Sequence, residues 1–275
     1  MAFLTTSSTP PVRLYYEDHG AGRPVVLVHC WPSSLRVWDR QVEALTAAGF
    51  RCIAYDRRGF GQSEHAAAGY DYDTLTADLH DLISALDLRD VVLVGYSMGG
   101  GEVARYLSRH GSERIAKAVL LSTVLPFPLQ TADNPDGVPM AVYDGLIAAI
   151  GQDRAAFLDG FSRRFCNWSP DGGAEADAVR EQVVRLASQA SLTATMECVR
   201  AFGTTDFRAD LRTITIPVLV VHGTADQIVP FEGSSQKAAA MLPSSRTVLI
   251  EGAGHALAMT HGDAVSKALV EFARD

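Results

Sequence analysis

The chain has no apolar run of 18 residues, so nothing in it reads as a membrane-spanning helix. Nor does it hold a block of five like charges, and with 24 basic against 32 acidic residues its formal net charge is −8. This argues against nucleic acid or an anionic membrane as the main partner. Cysteine is scarce: Cys30, Cys52, Cys166 and Cys198 lie far apart, with no C-x-x-C spacing. The usual zinc and redox-pair patterns are therefore missing, and neither a metal site nor a redox pair is expected. Cys30 and Cys52 each border an apolar run and read as buried thiols acting as small hydrophobes. The first eleven residues are polar and rich in Ser and Thr, without the basic start or apolar stretch of a signal peptide. Together these absences set the expectation of a soluble, cytoplasmic protein.

What is present suits an ordinary globular protein: 47% hydrophobic residues over 275 positions, enough for one large domain spanning 1–275. Short continuous apolar runs recur at 25–28, 52–55, 91–94, 118–121 and 218–221, bounded by Gly, Pro or charged residues. Runs of that kind suit strands buried on both faces of a parallel sheet. Helical spacing falls between them. It is clearest over 73–86, where Leu75, Leu79, Leu82, Ile83 and Leu86 share a face and Asp73 is placed as N-cap. Alternating strands and helices predict an α/β doubly wound sheet. Residues 12–18 alternate less cleanly and read as an antiparallel strand at the sheet edge. From about 126 to 207 the pattern changes. Prolines at 126, 128, 135 and 139 introduce a stretch with helical spacing and no evident strand, which reads as a helical cap inserted over the sheet.

The run 91–94 leads into Gly95-Tyr96-Ser97-Met98-Gly99, a G-x-S-x-G turn between strand and helix. Glycines flank the serine because the chain must reverse sharply around it, and the helix N-terminus beyond favours developing negative charge. Ser97 is thereby set up as a nucleophile, against the plainer reading of a glycine-rich turn with a buried serine. A serine hydroxyl needs a base, and the base needs an orienting group. Asp226, in His222-Gly223-Thr224-Ala225-Asp226, and His255, in Gly252-Ala253-Gly254-His255, each follow a strand-like run. Loops at such strand ends are where open α/β sheets bind ligands. The chain order Ser97, Asp226, His255 is that of α/β-hydrolases. The simpler alternative for Asp226 is a turn residue. His29 and His222 end strands and read as structural groups bonding loop backbone. His19, His65, His80 and His110 read as solvated, and His261 opens the final helix. Two N–H donors are needed for an oxyanion. Met98, after the nucleophile, supplies one, and Trp31, in the loop His29-Cys30-Trp31-Pro32, the other, unless Trp31 is only a packing aromatic.

Those strings resemble the α/β-hydrolase superfamily over the full chain, and within it the cofactor-free (non-heme) haloperoxidase, arylesterase and perhydrolase family. The resemblance rests on His29-x-Trp31-Pro32 and on Asp56-Arg57-Arg58-Gly59-Phe60-Gly61-Gln62-Ser63. It rests equally on Gly95 to Gly101 with Val103-Ala104-Arg105-Tyr106 beyond, and on Asp226-Gln227-Ile228-Val229-Pro230. It implies a Ser97–Asp226–His255 triad, oxyanion donors at Trp31 and Met98, and a helical cap over an apolar acyl pocket. Pro32, Phe161, Phe165, Phe202, Ile228 and Val229 would line that pocket. The phenylalanines at 157, 161 and 165 equally fit the buried face of any amphipathic helix. One departure stands out: the family's usual His-Gly-Trp-Pro reads His29-Cys30-Trp31-Pro32, which puts a Cβ and a thiol in the oxyanion loop.

The implied enzyme is a serine hydrolase of small carboxylic esters. Water resolves its acyl-enzyme to an acid, and hydrogen peroxide resolves it to a peracid able to oxidise halide. The partners expected are thus a small ester or amide and hydrogen peroxide, with homo-oligomerisation left open. Alternatives are a lactam or amide hydrolase of the same family and a non-catalytic receptor keeping the fold. Since only a neutral imidazole acts as base, activity is expected to fall towards acid pH as His255 takes up a proton. A flat rate profile between about pH 5 and 8 would contradict that assignment.

Overall fold

In the computed structural model, which describes residues 2–275, the five apolar runs become strands of one eight-stranded sheet. The strands are β1 (Ala2–Thr5), β2 (Arg13–Gly20), β3 (Pro24–Val28), β4 (Arg51–Tyr55), β5 (Val91–Tyr96), β6 (Ile115–Leu121), β7 (Val218–Gly223) and β8 (Ser245–Ile250). They lie in the order β1-β2-β4-β3-β5-β6-β7-β8. Pairing is parallel from β4 across to β8, and antiparallel between β1, β2 and β4. β5 and β7 are buried at every position, which is why their sequences are apolar without alternation. Residues 12–18 were expected at the sheet edge, but β2 lies one strand in. The edge belongs to β1, which pairs Phe3 with Tyr15 in a stretch too short to display alternation.

Helices cover the sheet: α1 (Asp39–Ala47), α2 (Tyr72–Ala85) and α3 (Met98–His110) lie among the first strands. Between β6 and β7 come α4 (Met140–Gln152), α5 (Arg154–Phe165), α6 (Gly173–Ser188), α7 (Leu192–Thr204) and α8 (Arg208–Leu211). After β7 follow α9 (Ser235–Met241), α10 (Leu257–Thr260) and α11 (Gly262–Arg274). α1 packs on α11 and α2 on α3. In α2, Leu75, Leu79, Leu82 and Ile83 are buried, each stabilising the fold by about 1.5–3 kcal/mol. Its N-cap is Asp71, not Asp73. The chain is still extended at Asp71, whose carboxylate accepts the Thr74 N–H at 2.9 Å, while Asp73 in the first turn pairs with Arg105. The α4–α7 stretch is held at its ends, where the Phe207 N–H bonds the Pro126 carbonyl at 2.9 Å. Among the described residues no helix is long and apolar enough to cross a membrane.

The strand order reverses at β3, which has β4 on one side and β5 on the other. Ligands of open α/β sheets bind at such a switch point, outside the strands' carboxyl ends. The loop after β3 begins with His29 and the turn after β5 holds Ser97. Behind both lies a buried ionic cluster. Arg57 Nε donates to Glu102 Oε1 at 2.6 Å, the Tyr55 hydroxyl donates to Glu102 Oε2 at 3.0 Å, and Arg57 Nη2 donates to the His29 carbonyl at 2.7 Å. Burial raises the Glu102 carboxyl despite Arg57, while Glu102 in turn favours the charged form of the buried guanidinium. Glu102→Gln is expected to cost about 3–5 kcal/mol, because it leaves a buried guanidinium uncompensated. Urea unfolding measures this, and a loss below about 1 kcal/mol would contradict it.

Candidate active site

Ser97 sits between β5 and α3 with φ +55° and ψ −115°, a conformation rare for a residue with a side chain. Its neighbours make the turn feasible. A Cβ on Gly95 would fall 2.3 Å from the Gly99 carbonyl oxygen, and one on Gly99 would fall 2.7 Å from that of Val28. The elbow is thereby pressed onto the end of β3. Ser97 N–H is anchored to the Leu121 carbonyl at 2.8 Å.

Loops after β7 and β8 bring two further groups to this point. His255 Nδ1 lies 2.7 Å from Asp226 Oδ2, and its Nε2 lies 2.9 Å from Ser97 Oγ. An ionised carboxylate only accepts, so Nδ1 carries the proton and Nε2 is left to accept from the serine hydroxyl. Asp226 Oδ1 accepts from the N–H groups of Ile228 at 3.0 Å and Val229 at 2.9 Å. Burial pushes the Asp226 carboxyl up, but His255, the Val229 amide and His222 outweigh it and hold the group below the usual range. All three side chains are nearly excluded from solvent: Ser97 is 6%, Asp226 7% and His255 1% exposed.

Met98 is the first residue of α3, where an N–H has no acceptor within the helix. Trp31 and Pro32 are both buried in the loop after β3. The Trp31 indole packs edge-on against Phe161 (5.4 Å) and Phe202 (5.3 Å), and its Nε1–H donates to the Thr195 carbonyl in α7 at 3.0 Å. Trp31 is therefore a packing aromatic in its side chain, whatever its backbone does. Phe165 sets its ring against the His255 imidazole at 5.0 Å. Ile228 and Val229 are half-buried and are held to Asp226 by their amides. Cys30 is fully buried and lies outside the left-handed region, so its Cβ fits the loop without strain. Burial pushes its thiol up to about 12, far from the thiolate a nucleophile needs. Two clefts, of about 400 and 440 Å³, lie elsewhere, one against α6 and α10 and one against α7. Neither is lined by Ser97, Asp226 or His255.

Several neighbours were not legible beforehand. The Tyr96 hydroxyl donates to the His255 carbonyl. His222 does bond loop backbone, donating from Nε2 to the Val229 carbonyl at 2.9 Å while Nδ1 accepts from Ser235 at 2.7 Å. The same Nε2 also lies 3.4 Å from Asp226 Oδ2. A strand-ending histidine four residues before Asp226 was the available signal. His80 and His110, expected to be solvated, are half-buried and stack with centroids 4.1 Å apart, because α2 and α3 pack side by side there. His19 and His65 are exposed, and His261 precedes α11.

A family model described as the alpha/beta hydrolase fold matches residues 23–262. The chain is 42% identical over 263 residues to a non-heme chloroperoxidase of Kitasatospora aureofaciens, covering 95% of this chain and 96% of that one. It is 35% identical over 277 residues, the whole of both chains, to a bifunctional esterase/perhydrolase of Acinetobacter calcoaceticus. The crystal structure of a bromoperoxidase from Bacillus anthracis is similar over the full length of both chains, with a TM-score of 0.93 at 43% identity.

Burial holds the imidazole of His29 well below its ordinary range, Arg57 adding to the effect, and burial likewise lowers that of His222. The unfolded chain then takes up protons below about pH 6.5 that the folded chain refuses, so stability falls as pH drops through that value. In NMR titrations both rings are expected to titrate below the ordinary imidazole range in the folded protein; midpoints near about 6.5 would contradict this.

Proposed function

The chain belongs to the α/β hydrolase fold family, in its group of esterases, perhydrolases and non-heme haloperoxidases, and from that premise we propose a cycle run by Ser97, His255 and Asp226 on small carboxylic esters. The observation that carries the reading is the pair of bonds to His255, 2.9 Å to Ser97 Oγ and 2.7 Å to Asp226 Oδ2. Ser97 Oγ attacks the ester carbonyl as its proton passes to His255 Nε2. Asp226 keeps the other nitrogen protonated and stabilises the imidazolium. The N–H groups of Met98 and Trp31 receive the oxyanion. His255 then returns its proton to the departing alkoxide, and an acyl-enzyme remains.

Water attacks the acyl-enzyme with His255 again as base, releasing a carboxylic acid and restoring the serine. Hydrogen peroxide in place of water releases a peracid by the same proton transfers. A free peracid oxidises halide in solution, being itself reduced to the carboxylic acid, so haloperoxidase behaviour needs no cofactor. The names of the related chains favour this second outcome. The acyl group would lie among Phe161, Phe165, Phe202 and Pro32, with Ile228 and Val229 on the acid's side, an apolar setting suited to short acyl chains.

The test is the initial rate on a chromogenic acetate ester, with and without hydrogen peroxide. Ser97→Ala is expected to lose at least about a thousandfold in kcat, and peroxide to divert the product to peracid. Retention of the native rate by Ser97→Ala would overturn the reading.

A further inference from the structure

The chain ends α5 at Phe165, and two residues later Asn167 adopts φ +51°, the left-handed turn that commonly closes a helix. Its main chain behaves as a helix stop, with the Trp168 N–H bonded to the Arg163 carbonyl at 2.8 Å. The side chain does something a helix stop does not require. Asn167 Nδ2 donates to the Ala225 carbonyl at 2.8 Å, in the residue just before Asp226. The same carboxamide covers Gly254, the residue just before His255, so closely that a Cβ there would lie 2.7 Å from its Cγ and Nδ2. Phe165, on the other side of the turn, accepts the Ala256 N–H at 2.9 Å and sets its ring nearly perpendicular to that of His255. The end of α5 thus grips His255 from both flanks and the Asp226 loop from above.

We infer that Asn167 is a positioning residue for the Asp226–His255 pair, setting the imidazole at its distance from Ser97. This rests on the function proposed above and extends it to the helical segment. Among the described residues Asn167 Oδ1 has no hydrogen-bond partner, so the amide is held by its Nδ2 bond to Ala225 and by its packing on Gly254. The Gly254 position is explained too, since only a residue without Cβ lets the amide lie against the backbone beside His255.

Asn167→Gly separates this role from helix stopping, because glycine is the preferred residue at a left-handed helix end and removes only the amide. On a short-chain ester, Asn167→Gly is expected to lower kcat at least about tenfold, by loosening alignment, with KM changed less than about threefold. Its melting midpoint is expected to fall by no more than about 2–4 °C, the loss of one hydrogen bond. The downfield proton resonance of His255 Nδ1–H, identified by its loss in His255→Ala, should shift or broaden. A kcat within about twofold of the native value, or an unaltered resonance, would overturn the inference. If the native protein turns over no ester, the proposed function fails, and the resonance alone then decides whether Asn167 positions the pair.

Discussion

A serine held at φ +55° constrains everything around it. Such a conformation costs on the order of 1–3 kcal/mol and persists only where the surroundings over-determine it. Here Gly95 and Gly99 let backbone meet backbone at distances no side chain allows, and the Ser97 amide is tied to β6. The reversal presses the start of α3 onto the end of β3. The Met98 N–H, the Trp31 loop and the serine hydroxyl therefore share one edge of the sheet, at the point where the strand order reverses. The loops after β7 and β8 end at the same edge, so His255 and Asp226 reach the serine by short connections.

Charge is arranged around that edge with some economy. Asp226 stays ionised although buried, because His255 and two backbone amides face its oxygens. The two buried histidines nearby, His29 and His222, are kept neutral, so neither competes as a cation beside the proposed base. Arg57 brings a buried positive charge close to the loop after β3. It is matched by Glu102 and directed at the His29 carbonyl. The cluster fixes the loop's backbone while presenting little net charge to it.

Much of this was legible in the sequence where local patterns carry the information. Buried parallel strands write continuous apolar runs, a strained elbow writes glycines, and strand-end loops write a lone Asp and His. What was hidden depends on contacts between distant residues. Asp71, not Asp73, caps α2, because the helix start is set by where the preceding loop turns. β1 was invisible, being four residues that acquire meaning only beside β2. The stacking of His80 on His110 and the closeness of His222 to Asp226 follow from helix and loop packing that spacing does not encode. Asn167 carried no motif at all. Cys30, the departure noted in the loop after β3, sits in ordinary backbone with its thiol buried.

The helical segment between β6 and β7 is bound to the sheet's edge at the places where the proposed chemistry occurs. The Trp31 indole bonds α7, while Phe165 and Asn167 bond the loops of His255 and Asp226. On the proposed reading, a change in that segment alters alignment as well as the shape of the proposed acyl site. The central claim remains that Ser97 becomes acylated. Its most direct test is mass spectrometry of native protein mixed with an activated acetate ester and quenched in acid within one turnover. The account predicts one added acetyl group per chain, on the peptide containing Ser97, disappearing as turnover completes. Turnover with no acetyl on Ser97, or with acetyl carried on another residue, would contradict it.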